Sequence, residues 1–109
     1  MTSGTTFEAG DVILARLQFT DTFEIKKRPA IVLYHEYGNY VVAGITSNLK
    51  MDGVPLTEKD GMEKESVIKL NYLFTISQNM IERKLFPLRS DKRQMVYKEL
   101  MTRLEQLKQ

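Results

Sequence analysis

The sequence contains no cysteine, so disulfides, cysteine-ligated zinc and thiol catalysis are excluded together, and a cytoplasmic location is expected. There is one histidine, His35. It sits in a predicted strand, has no second metal ligand at helical spacing, and cannot alone supply an acid and base pair; it reads as a satisfied strand residue. Apolar runs such as Val12-Ile13-Leu14-Ala15 and Ala30-Ile31-Val32-Leu33 fall far short of the roughly 20 residues a membrane helix requires, so no membrane partner is expected. The first nine residues, MTSGTTFEA, lack the basic start and apolar stretch of a secretory signal. Neither GxxxxGK[ST] nor GxGxxG occurs, which removes the glycine-rich loops that cradle nucleotide phosphates. The acids Glu58, Asp60, Glu63 and Glu65 are not spaced as a calcium loop and read as a solvated segment.

What is present fits one packed domain over 1–109: 109 residues, 42% hydrophobic and 28% charged. The net charge of +2 conceals an asymmetry. Residues 1–68 carry 7 Lys/Arg against 10 Asp/Glu, giving −3, and residues 69–109 carry 9 against 4, giving +5. The basic part could face a polyanion, but on charge alone a solvated helix with surplus lysines is the better account.

After a polar lead over 1–9, the apolar run Asp11 to Phe19 predicts a strand buried on both faces. The polar stretch Thr20 to Lys27, interleaved with Phe23 and Ile25, is long for a hairpin connection and reads as a functional flap closed by Arg28-Pro29. Ala30 to Tyr37 and Tyr40 to Thr46, separated by Gly38-Asn39, predict an antiparallel hairpin. A short strand is expected at Val54-Pro55-Leu56, a turn at Asp60-Gly61, and a long strand over Ser66 to Ile76. A short helical turn or strand over Asn79 to Phe86 ends at Pro87. Val96, Leu100, Leu104 and Leu107 recur at helical spacing, so 90–108 is expected as an amphipathic helix with Ser90 as N-cap and that stripe in the core. Five or six strands and one terminal helix give an α+β, mainly β fold, a small antiparallel β-barrel or sandwich with a C-terminal α-helix.

Four segments occur in a recognisable order: Gly10-Asp11-Val12; Arg28-Pro29-Ala30-Ile31-Val32-Leu33; Val42-Ala43-Gly44-Ile45-Thr46-Ser47; and Ser66-Val67-Ile68 leading to Phe74-Thr75-Ile76. Together they resemble the MazF/PemK/Kid family of type II toxins. The resemblance implies an SH3-like β-barrel, a homodimer, and a sequence-specific endoribonuclease that cuts single-stranded mRNA without metal or cofactor. It also implies a cognate antitoxin whose acidic, disordered tail covers the groove. Arg28 and Thr46 match the family's arginine and threonine and are the expected catalytic residues. Lys27, Ser47, Lys69 and Asn71 are expected to bind RNA. Where some members carry a basic residue and an acid on the long strand, this chain has Lys69 and Asn71, so a carboxylate base is missing there. Glu24 in the flap is not assigned.

The residue chemistry agrees with RNA cleavage through its own 2′-hydroxyl. A guanidinium fork can bond two phosphate oxygens, and Pro29 restricts Arg28 to extended backbone. Since a free guanidinium stays protonated across the working pH range, Arg28 is assigned phosphate stabilisation, with acid and base duty open. Two other classes carry the same framework: a noncatalytic SH3-like module binding RNA or protein, and a gyrase-poisoning toxin of the CcdB type, which has no use for an arginine-proline flap.

Overall fold

The computed structural model describes residues 6–18 and 23–109. Phe19, the flap positions 20–22 and the first five residues of the polar lead lie outside them. Six strands form one antiparallel curled sheet, a half-barrel, with a single C-terminal helix. The strands are β1 (Asp11–Leu17), β2 (Lys26–Glu36), β3 (Asn39–Thr46), β4 (Val54–Leu56), β5 (Ser66–Ser77) and β6 (Ile81–Pro87), in the order β4-β5-β3-β2-β1-β6. The α+β, mainly β expectation is met.

Side chains alternate across a strand, and here both sides are buried. Ile13, Ala15, Leu17, Ala30, Val32, Tyr40, Val42 and Ile76 pack in one cluster that Phe7 joins. Val12, Ile31, Ala43, Ile45, Ile68 and Leu70 pack in a second, with Leu88 and Val96 supplied by the C-terminal segment. The near-continuous apolar character of β1 follows, since Val12 serves one cluster and Ile13 the other.

Several expected boundaries move, each for a local reason. The β2–β3 turn is Tyr37-Gly38 rather than Gly38-Asn39: both residues have positive φ, 52° and 80°, as a tight two-residue hairpin turn of the primed type requires. Asn39 is thereby released to pair with Glu36 and Ser77. The segment expected as a helical turn or strand is both, a 3-10 turn Gln78–Met80 followed by a full edge strand over 81–87, and Pro87 ends it opposite Asp11. At an edge, a residue without an N–H removes no ladder bond.

Helix α1 spans Ser90–Leu104, with a 3-10 turn Glu105–Lys108 continuing it. Arg89, not Ser90, occupies the N-cap, and no side-chain cap is made. The apolar stripe is only partly core. Val96 is buried and Leu100 half-buried, whereas Leu104 and Leu107 are exposed. No helix among the described residues is long and apolar enough to cross a membrane.

Candidate active site

β2 begins earlier than the sequence suggests. Lys26, Lys27, Arg28 and Pro29 are already paired with Leu17, Arg16, Ala15 and Leu14 of β1, so Arg28 is a strand residue rather than the end of a loop. On the next strand in the chain, Thr46 closes β3 opposite Val67 of β5. These two strand ends open on one groove of about 520 Å3. Its floor is apolar, with Leu14, Pro29, Ile45, Leu85 and Phe86; its polar lining includes Lys27, Arg28, Thr46, Ser47 and Arg83, and its outer wall is Gly61, Met62, Glu63 and Lys64. Four cations face one carboxylate there, a balance that attracts a polyanion.

Of the groove's hydroxyls, that of Thr46 is held by the loop that follows it. Thr46 Oγ1 accepts the backbone N–H of Asn48 at 3.1 Å, and Asn48 Oδ1 in turn accepts the N–H of Lys50 at 3.1 Å. With its oxygen used as acceptor, the Thr46 hydroxyl hydrogen is available to a phosphate oxygen. Lys27 Nζ is 2.9 Å from Glu82 Oε1 on β6. That hydrogen bond is the main reason the Glu82 carboxyl lies below its ordinary value, with the charges of Lys27, Arg16 and Arg83 contributing further.

The outer wall is held by Asp60, a residue the sequence placed in a solvated loop. Its side chain is 1% exposed. It accepts the Thr57 N–H at 2.8 Å and Arg89 Nη2 at 2.9 Å, and Lys92 Nζ lies 3.7 Å away. Burial pushes the Asp60 carboxyl up, but the Thr57 N–H, Lys92 and Arg89 together outweigh this and hold it below the ordinary range. Asp60 also completes a capping box with Thr57 on the 3-10 turn Glu58–Asp60, so the pattern Thr-x-x-Asp-Gly was the available signal. Gly61 follows with φ 115°, and a Cβ there would meet the Phe86 ring at 2.9 Å; only glycine permits this turn against the groove floor. At the far end of the wall, Ser66 Oγ donates to the Lys64 carbonyl at 3.0 Å.

The expected site residues separate into two sets. Arg28, Thr46, Lys27 and Ser47 line the groove together. Lys69 and Asn71 are not among the lining residues: Lys69 is buried, its ammonium 5.2 Å from the centre of the Tyr72 ring, and Asn71 is exposed elsewhere on β5. Arg83, Lys64 and Glu63 join the groove without having been singled out in the sequence as site residues. His35 lies apart from it, stacked on Tyr40 at 5.4 Å with Nε2 3.7 Å from a Glu8 carboxylate oxygen. Among the described residues, no three His, Asp or Glu side chains are grouped to hold a metal ion.

The fold is shared with known toxins. The toxin MazF-mt6 of Mycobacterium tuberculosis superposes with a TM-score of 0.73 at 22% identity, over 87% of this chain and 96% of that one. MazF from Deinococcus radiodurans gives 0.72 at 18% identity, over 93% and 98%. A chain of a MazE-MazF structure from the same organism gives 0.71 at 17% identity, over 93% and 97%. No curated protein sequence matches the chain. A family model does match, over residues 8–104, and with nearly the whole sequence inside it the chain belongs to the PemK-like, MazF-like toxins of type II toxin-antitoxin systems.

Proposed function

We propose that this toxin is a sequence-specific endoribonuclease that cleaves single-stranded mRNA by attack of the 2′-hydroxyl on the adjacent phosphorus, without metal or cofactor. The observation that carries this is the convergence of Arg28 and Thr46, from different strands, on one cationic groove with Lys27 and Ser47. In-line attack builds negative charge on the non-bridging phosphate oxygens. Arg28 bonds two of them through its planar fork, and Thr46 donates its hydroxyl hydrogen to the same phosphate. Lys27 and Ser47 hold the neighbouring backbone. The bond from phosphorus to the 5′-oxygen breaks, the 2′-oxygen loses its proton and the 5′-oxygen gains one. The products are a 2′,3′-cyclic phosphate and a 5′-hydroxyl.

The cytoplasm supplies such a substrate, and a cognate antitoxin with an acidic disordered tail is the partner this groove accommodates, on a homodimer of the toxin. A MazE-MazF assembly is known for the Deinococcus radiodurans toxin. A tail that neutralises Lys27, Arg28, Lys64 and Arg83 competes with RNA. The test is incubation of the protein and its Arg28→Ala variant with a long RNA in EDTA, followed by mapping of the ends. Cleavage in EDTA at a short recurring sequence, with cyclic or 3′-phosphate ends, is expected from the unmodified protein only. Cleavage that needs added magnesium refutes the mechanism, and RNA bound without products returns the protein to a noncatalytic binding module.

A further inference from the structure

The groove is not the only cavity at the β6 edge. A second, of about 370 Å3, is lined by Phe7, Gln78, Ile81, Glu82, Arg83 and Lys84. Arg83 lines both. The register explains how one strand serves two sites. Arg83 pairs with Leu14, a floor residue of the groove, and Lys84 pairs with Ile13, which belongs to the Phe7 core cluster. β6 is the terminal strand of the sheet, so among the described residues no further strand lies between the two cavities around its edge.

We propose that this second cavity is a subsite for a nucleotide flanking the scissile phosphate, reached by RNA that crosses the β6 edge over Arg83. This rests on the endoribonuclease reading of the groove. The chemistry of the lining fits a single-stranded nucleotide. The cationic ridge continues from Arg28 and Lys27 through Arg83 to Lys84, which tracks a phosphate backbone. Two carboxylates flank the path, and each is already paired: Glu82 is held by Lys27 at 2.9 Å within the field of Arg16 and Arg83, and Asp11 by Lys84 at 3.3 Å, so neither repels the chain as an isolated anion would. Gln78 brings an amide, with donors and an acceptor, to a base edge. The apolar wall is preorganised: Phe7 is buried and packs edge-on against Tyr40 at 5.8 Å, so the wall is already formed before a base arrives.

The test uses randomised 2′-O-methyl RNA, which lacks the attacking hydroxyl and is not cut. Affinities of a trimer and a nonamer are measured by fluorescence anisotropy for the unmodified protein and for Gln78→Glu, Lys84→Gln and Arg83→Gln. Gln78 lies in an exposed 3-10 turn outside the core clusters, and thermal melts of each variant separate a binding loss from any loss of stability, including that from the Lys84 contact to Asp11 at 3.3 Å. Gln78→Glu and Lys84→Gln are expected to weaken the nonamer on the order of tenfold and the trimer less than about twofold, the loss of roughly one base's worth of binding. Arg83→Gln, which touches both cavities, is expected to weaken both lengths and to reduce the salt slope by about one. Equal losses at both lengths, or none, for Gln78→Glu and Lys84→Gln overturn the subsite. If those variants are silent while the unmodified protein cleaves RNA in EDTA, the subsite alone falls. If the unmodified protein neither binds the nonamer nor cleaves, the groove reading falls and takes the subsite with it.

Discussion

Replacing Asp60 by asparagine tests whether the wall of the groove is set from outside it. The substitution keeps shape and an acceptor for the Thr57 N–H, but removes the charge that faces Arg89 at 2.9 Å and Lys92 at 3.7 Å. Breaking a buried ion pair by removing one partner costs about 3 to 5 kcal/mol when the other charge stays buried. Arg89 is half-exposed and can turn to water, whereas Lys92 is 14% exposed and also donates to the Pro55 carbonyl at 2.6 Å. Only part of the penalty therefore remains, and a loss of about 2 kcal/mol is expected, or roughly 10 °C in Tm for a domain of this size. The acid dependence supplies an independent check. The folded Asp60 carboxyl lies below its ordinary value, so its contribution is complete above the unfolded value near 3.9 and is lost as pH falls through the lower folded value. Asp60→Asn should flatten that part of the acid limb. Because Gly61, Met62, Glu63 and Lys64 follow directly and line the groove, KM for RNA should rise while kcat changes little. Urea melts from pH 2 to 7 and steady-state cleavage read these effects. A change under about 0.5 kcal/mol with an unaltered acid limb would refute the account of the clamp.

Arg28→Ala and Thr46→Ala should each lower kcat about 100- to 1000-fold with Tm nearly unchanged, as read by single-turnover cleavage and thermal melts; an equally inactive but stable His35→Ala would overturn the assignment of roles. Leu107→Ser should alter stability by less than about 0.5 kcal/mol, because Leu107 is 82% exposed, whereas Val96→Ala should cost about 1 to 3 kcal/mol through the cavity it leaves in the second core cluster. Similar Tm losses for the two would mean that the end of the helix is covered after all.

Strand content was legible because burial on both sides of the sheet leaves nearly continuous apolar runs, and β1 carries such a run. What local pattern could not settle was what lies opposite each face. Val96, Leu100, Leu104 and Leu107 share a helical face by spacing alone. Whether a residue on that face is core depends on whether the sheet extends beneath it, and only Val96 has that support fully. The N-cap shows the same competition between local and tertiary demands. Ser90 has the better capping side chain, but Arg89 is drawn to Asp60 and takes the extended N-cap conformation with φ −63° and ψ 153°.

The site was legible to a similar depth. Arg28 and Thr46 stand in short segments with a recognisable order, so they could be named together, but nothing in their spacing shows that Pro29 is paired with Leu14 and that Arg28 is consequently held by a strand. Asp60 and Arg83 were hidden for opposite reasons. Asp60 lies among acids that composition assigns to solvent, yet it is the one whose capping geometry and two cationic partners make burial tolerable. Arg83 sits in the charged run Glu82-Arg83-Lys84 of a segment that reads as a helical turn or a strand, and its importance comes only from β6 pairing with β1, which sets it beside Leu14 and in the lining of the groove. The groove thus depends on three long-range pairings: β2 with β1 for Arg28, β3 with β5 for Thr46, and β6 with β1 for Arg83. A change that slips any one register by a residue would turn its cation or hydroxyl to the other face of the sheet. Activity in this toxin should therefore fail with strand register before the protein unfolds.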